Sequence, residues 1–218
     1  MKALEFLIEA DIPLSPDELE IFNSYKIPSE LLKTLYGIKR ECQPFLNEVD
    51  DPFNLFRGLR ATSDWGVKKT VRLDNRTPMS MKQSIHNELN NKFTHYFGEP
   101  FRNAVFCTGS KSQATVYGML FCVYPIGEYK YLWSSDYRDL YHAHDEYKYA
   151  NGQDPTFFAD RLDYESYHTD RLNDGIYSGN EIMIRTKEYY ALNLNNIHNQ
   201  GLNDPGIVLN GIQEYFMI

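Results

Sequence analysis

Short apolar or alternating runs of about strand length recur at 54–60, 104–107, 120–125, 129–133, 181–184 and 189–192, and they restrict the fold more than anything else in the chain. Each must bury one or both faces. The segments between them read as helices of unequal length, without the regular strand-helix alternation that builds a doubly wound parallel sheet. An α+β fold is therefore expected. One more short strand is expected at 215–218.

Helix signals fill the gaps. Ser15-Pro16-Asp17-Glu18 reads as a helix start with proline in the first turn. Leu31, Leu32, Leu35, Tyr36 and Ile38 give a second amphipathic helix after Pro28. A longer helix is predicted over 81–97 from Ile85, Leu89, Phe93 and Phe97 at four-residue steps, with Ser80 placed to cap it. A short helix ending at a glycine is expected over 111–118, whereas 136–174 is polar and aromatic, helical in parts. Residues 1–50 are read as an N-terminal helical extension packed on a core of 51–218.

Composition narrows the function. With 22 Lys and Arg against 30 Asp and Glu, the formal net charge of −8 argues against a broad phosphate-binding surface. The basic residues Arg57, Arg60, Lys68, Lys69, Arg72 and Arg76 crowd into one stretch, either as a local groove or as a solvated face. Cys42, Cys107 and Cys122 have neither disulfide nor zinc spacing, and Cys107 and Cys122 sit in apolar strands that would leave a thiol inert. His142, His144 and Asp145 are close in sequence, but no further ligand supports a metal site. No apolar run has signal-peptide or membrane-span length, so a cytoplasmic protein without a membrane partner is expected.

No glycine-rich phosphate loop is present, so any nucleotide phosphates need another grip. Three separated elements offer one: Arg57-Gly58 on a strand, Phe106-Cys107-Thr108-Gly109-Ser110 at the end of another, and Glu181 opening an apolar strand. In this order they resemble the mono-ADP-ribosyltransferases of the arginine-serine-glutamate class, over roughly 55–192. The resemblance implies NAD as substrate, bound between two small twisted sheets in a split fold, with N-terminal helices outside the matched region.

Each position has a chemical reason beside the resemblance, and a plainer alternative. Arg57 presents a donor fork suited to a diphosphate or forms a structural ion pair, and Gly58 would let backbone approach the ligand. Phe106 matches the aromatic before the family's hydroxyl motif. Thr108 and Ser110 fall where that motif lies, to orient Glu181 and touch the ribose, although Cys107 and Gly109 replace two of its hydroxyl positions; alternatively they close a strand in a turn. Tyr117 is similarly placed to a tyrosine that stacks on nicotinamide in related polymerases, or is a core tyrosine. Glu181 would stabilise the oxocarbenium-like transition state of glycosidic cleavage, or guard a strand edge.

Residues 173–180 read as a turn of glycine and asparagine, which by the resemblance would recognise the acceptor. Tyr177 would present an aromatic there. Gly179 stands where family members that modify Arg or Asn carry Glu or Gln. The resemblance therefore implies an NAD-dependent transferase of phage, viral-effector or toxin type, acting on a protein or nucleic-acid acceptor and open to an inhibitor or antitoxin partner. An NAD glycohydrolase without an acceptor and a noncatalytic interaction module remain as alternatives.

Overall fold

The computed structural model describes residues 14–25, 27–60, 62, 64–78, 81–151, 155–199, 212 and 214–216. Helix α1 (Pro16–Tyr25) starts as the sequence suggests: the Glu18 carboxylate accepts from the Ser15 N–H at 2.8 Å while the Ser15 hydroxyl accepts from the Glu18 N–H at 3.2 Å. This reciprocal pair is a capping box. Helices α2 (Ser29–Glu41) and α3 (Gln43–Glu48) follow. Leu31, Leu32, Leu35 and Ile38 on α2 are all buried, as their spacing requires.

The chain then enters β1 (Phe56–Leu59) and β2 (Gly66–Thr70), helix α4 (Gln83–Phe97), β3 (Val105–Thr108), the short helix α5 (Lys111–Thr115), β4 (Met119–Pro125) and β5 (Lys130–Ser134). Helix α6 (Leu140–Asn151) and two 3-10 segments lead to the two-residue β6 (Tyr167–His168). Helix α7 (Leu172–Ser178), β7 (Glu181–Arg185), β8 (Glu188–Asn193) and α8 (Leu194–Asn199) follow. Among the described residues eight strands form a single sheet in the order β2-β8-β4-β1-β3-β7-β5-β6, and the pairings are antiparallel. The joint in the middle is thin: β1 and β3 are paired only at Phe56↔Thr108.

Alternation along the strands divides the core. Val105, Cys107, Ile182, Ile184, Tyr131 and Trp133 join one apolar cluster with Leu31, Leu35 and Phe45 of the N-terminal helices and Leu172 and Ile176 of α7. Met183 and Leu132 join a second with Ile85, Leu89 and Phe93 of α4, and Phe106 packs against it. A period of two sends neighbours to opposite faces, which puts Phe106, Glu181 and Met183 on the α4 side.

Three expectations are corrected. Strand β2 lies inside the charged stretch and went unread; it is an edge strand, fully paired to β8, where exposed Lys68 and Lys69 suit an edge. The glycine-rich segment before Glu181 is helix α7, because Leu172 and Ile176 are buried one turn apart. Tyr215 and Phe216 are helical, not a terminal strand; Met217, Ile218 and the proposed cap Ser80 lie outside the described residues, and α4 begins at Gln83.

Because the N-terminal helices share an apolar cluster with the sheet, they should unfold with it. Leu35→Ala is expected to destabilise the chain by about 2–5 kcal/mol, seen as an earlier urea midpoint in one transition by both tryptophan fluorescence and circular dichroism. A separate early transition in circular dichroism alone would show that they melt independently.

Candidate functional site

Strand register brings the three sequence elements abreast. Phe56 pairs with Thr108 across β1 and β3, and Thr108 pairs with Glu181 across β3 and β7. Residues far apart in sequence thus lie in one lateral row, with Arg57 one position along β1. Where the β1–β3 ladder stops, the Arg57 side chain takes over: its Nη1 donates to the Phe106 carbonyl at 3.2 Å. Among the described residues the buried Arg57 Nε has no hydrogen-bond partner.

Two arginines that sequence reasoning did not assign to the site meet the same strand. The guanidinium carbons of Arg76 and Arg102 lie 4.0 and 4.4 Å from the centre of the Phe106 ring, within cation–π distance. Arg76 also donates to the Ala104 carbonyl. Arg102 Nη1 donates to Glu181 Oε1 at 2.9 Å and approaches Met183 Sδ at 3.8 Å. The Arg102 and Glu181 side chains are only 8% and 13% exposed, so this ion pair is largely removed from water. Arg76 stood at the end of the basic stretch and was legible as part of it; Arg102 carried no local signal.

The supporting residues explain why these arginines stay put. The Asn90 side chain on α4 accepts from the Arg102 N–H at 2.8 Å. Asn103 Nδ2 donates to the Asp74 carbonyl at 3.1 Å, and Arg185 Nη1 reaches the carbonyls of Leu73, Pro100 and Asn103. The segment carrying Arg76 is thereby tied to the turn carrying Arg102. Beside Arg76 lies a polar cavity of about 340 Å³, whose lining includes Asn75, His86, Asn90 and Asn103.

Charge follows burial. Desolvation lowers the pKa of Arg76 to about 10, and repulsion from Arg57 and Arg102 adds to it. Burial raises the pKa of Glu181; Arg102 opposes the rise, and Asp139 adds to it. Burial, then Arg102 and Arg76, lowers the pKa of His86, although its hydrogen bond to Asn103 works the other way. Burial raises the thiol of Cys107 to about 12 and that of Cys122 further, consistent with inert thiols. Among the described residues no group of three or more His, Cys, Asp or Glu is placed to hold a metal ion, and no helix is long and apolar enough to cross a membrane.

Several predicted site residues have a structural occupation. The Thr108 hydroxyl donates to the Gly179 carbonyl at 2.6 Å and accepts from the Ser110 N–H at 3.0 Å, so it fastens α7 to β3; its bonds do not reach Glu181. Ser110 caps α5 by accepting from the Gln113 N–H. A Cβ on Gly58 would lie 2.2 Å from the Ala114 carbonyl oxygen; what approaches this glycine is the backbone of α5, where a ligand was expected. Gly179 ends α7 with φ of 71°, a conformation that a Glu or Gln side chain would strain. Tyr177 is exposed and donates to Asp50 at 3.0 Å.

Tyr117 is not a core tyrosine: its residue is 57% exposed, and its hydroxyl donates to Asp139 at 2.9 Å. Asp139 in turn accepts from the N–H groups of Tyr141 and His142 at the start of α6. Next to it, the Arg138 carbonyl accepts from the Glu181 N–H at 2.8 Å. The Tyr117 hydroxyl and the Glu181 backbone are thus tied to adjacent residues. No protein-family model matches the chain, and comparisons with curated proteins and with solved structures found no match.

Two outcomes follow for stability. Thr108→Val should cost about 1–3 kcal/mol by stranding the Gly179 carbonyl and the Ser110 N–H, while Thr108→Ser should be nearer to wild type in urea midpoint. For Glu181, the folded-state pKa lies above the ordinary 4.5, so its contribution to stability is present below that value and is lost as pH rises through the raised one. As pH rises from the ordinary glutamate value of 4.5, the urea midpoint of Glu181→Gln should therefore gain on wild type. A pH-independent difference would contradict the raised pKa.

Proposed function

We propose that this chain is an NAD-dependent mono-ADP-ribosyltransferase, cleaving the bond between nicotinamide and ribose and passing ADP-ribose to a protein or nucleic-acid acceptor. The observation that carries the reading is the lateral row from Phe56 through Thr108 to Glu181, with Arg57 one position along β1 from it. The single-pair joint between β1 and β3 divides the eight strands into two sets of four, and we read it as the split of the two-sheet fold implied by the resemblance. Residues 51–218 would then be the transferase-like unit, braced by the N-terminal helices.

In this reading the Arg57 guanidinium binds the NAD diphosphate, and the exposed Tyr117 ring lies against the nicotinamide. As the glycosidic bond breaks, its electron pair leaves with the nicotinamide nitrogen and positive charge grows on the ribose. The Glu181 carboxylate faces that charge. Because Glu181 is largely buried, its interaction with a developing cation is screened less than in water. The nucleophile of the acceptor attacks the same ribose carbon and gives up its proton. Thr108 acts as a positioning residue here, since its hydroxyl already holds the Gly179 carbonyl.

A specific observation favours water as the acceptor in a second reading. The segment expected to recognise a macromolecule is a helix closed by Gly179, with no Glu or Gln two positions before Glu181. That arrangement suits an NAD glycohydrolase.

Nicotinamide release from NAD should fall at least about a hundredfold in Glu181→Gln and about tenfold or more in Arg57→Ala. Its acidic limb should lie above the ordinary glutamate value of 4.5, because the ionised carboxylate is required and its pKa is raised. Undiminished turnover in both folded variants would defeat the assignment. Incubation with labelled NAD and cell lysate, followed by separate protease and nuclease treatment, identifies the acceptor; free ADP-ribose alone selects the glycohydrolase.

A further inference from the structure

The surplus of guanidinium groups around Phe106 asks for an anion. Arg57, Arg76 and Arg102 converge on β3 through the Phe106 carbonyl, the Phe106 ring and the Ala104 carbonyl. Among the described residues, the carboxylate in direct contact with this group is Glu181, which engages Arg102. Among the described residues the buried Nε atoms of Arg57 and Arg102 have no hydrogen-bond partners, and Arg102 as a residue is 7% exposed. Buried donors left unmatched beside like charges are costly, and a doubly charged ligand with several acceptor oxygens would relieve both costs together.

We propose that Arg57, Arg76 and Arg102 form a three-guanidinium site for a diphosphate group, in which Glu181 occupies Arg102 until the ligand arrives. The inference deepens the proposed function, resting on its placement of a diphosphate at Arg57 and adding Arg76 and Arg102 as ligands. Phe106 is the platform that keeps two of the guanidiniums from being drawn away into solvent. Arg102 bonding moves from the Glu181 carboxylate toward phosphate oxygens as the ligand binds, which leaves the carboxylate free to face the ribose. No bond is made or broken in this exchange; only hydrogen bonds are redistributed.

The probe is inorganic pyrophosphate, titrated calorimetrically and by thermal shift against the full chain without magnesium. Saturable binding should weaken about tenfold or more in Arg76→Gln. It should tighten in Glu181→Gln, which releases Arg102, while Arg60→Gln, an equal charge change at an exposed position, should leave it unaltered. If Arg102→Gln fails to fold, the Arg102→Gln/Glu181→Gln double variant removes the charge of both partners and should bind about tenfold or more weakly than Glu181→Gln. Tighter binding of ADP-ribose than of pyrophosphate would assign the diphosphate to a nucleotide. Lack of pyrophosphate binding by wild type, or equal losses in Arg76→Gln and Arg60→Gln, overturns the site even if NAD is cleaved. Binding with the expected variant pattern but no cleavage of NAD keeps the site and removes the transferase reading.

Discussion

Burying the Arg102–Glu181 ion pair beside two more guanidiniums is the constraint around which this half of the molecule is arranged. A buried pair repays its desolvation only when geometry is fixed and neighbouring donors and acceptors are satisfied. The molecule meets that condition at the backbone and leaves the Arg102 Nε unmatched among the described residues. Asn90 on α4 holds the Arg102 N–H, the Arg138 carbonyl holds the Glu181 N–H, and the Phe106 ring lies under the Arg102 and Arg76 guanidiniums. Helix α4 is in turn locked by Ile85, Leu89 and Phe93 in the second apolar cluster. The core on that side positions charge as much as it stabilises the chain.

The thin joint between β1 and β3 is the complementary feature. A continuous ladder there would satisfy the Phe106 carbonyl with main-chain N–H groups and leave little room for side chains. Since the ladder is reduced to one pair, the carbonyl is met by Arg57 instead, and polar side chains collect where strands would otherwise be closely paired. On the other side Thr108 ties β3 to the end of α7, so the row from Phe56 to Glu181 keeps its register.

The sequence made some of this plain and concealed the rest for identifiable reasons. Periodicity revealed α1, α2, α4 and most strands, since burial on one face leaves its mark in residue spacing. It missed β2, whose exposed lysines hide an edge strand, and it misread α7, whose Asn and Gly content outweighed the Leu172–Ile176 spacing. Among the site residues, Arg57 and Glu181 were singled out and fall into one neighbourhood. Thr108, Ser110, Gly58 and Gly179 were singled out for ligand or acceptor chemistry, yet their observed contacts fasten helices to strands.

By itself the sequence determined the α+β class, the helical N-terminal segment, the buried thiols and the order of three polar motifs, because each is encoded in local composition or period. Only the tertiary structure decided that Arg76 turns inward while Arg60 and Arg72 face solvent, and that Arg102 is the partner of Glu181. Nothing local distinguishes one arginine from another. Their environments are set by which strands pair and by which helix covers them, and those are long-range choices made by the packing of the whole core.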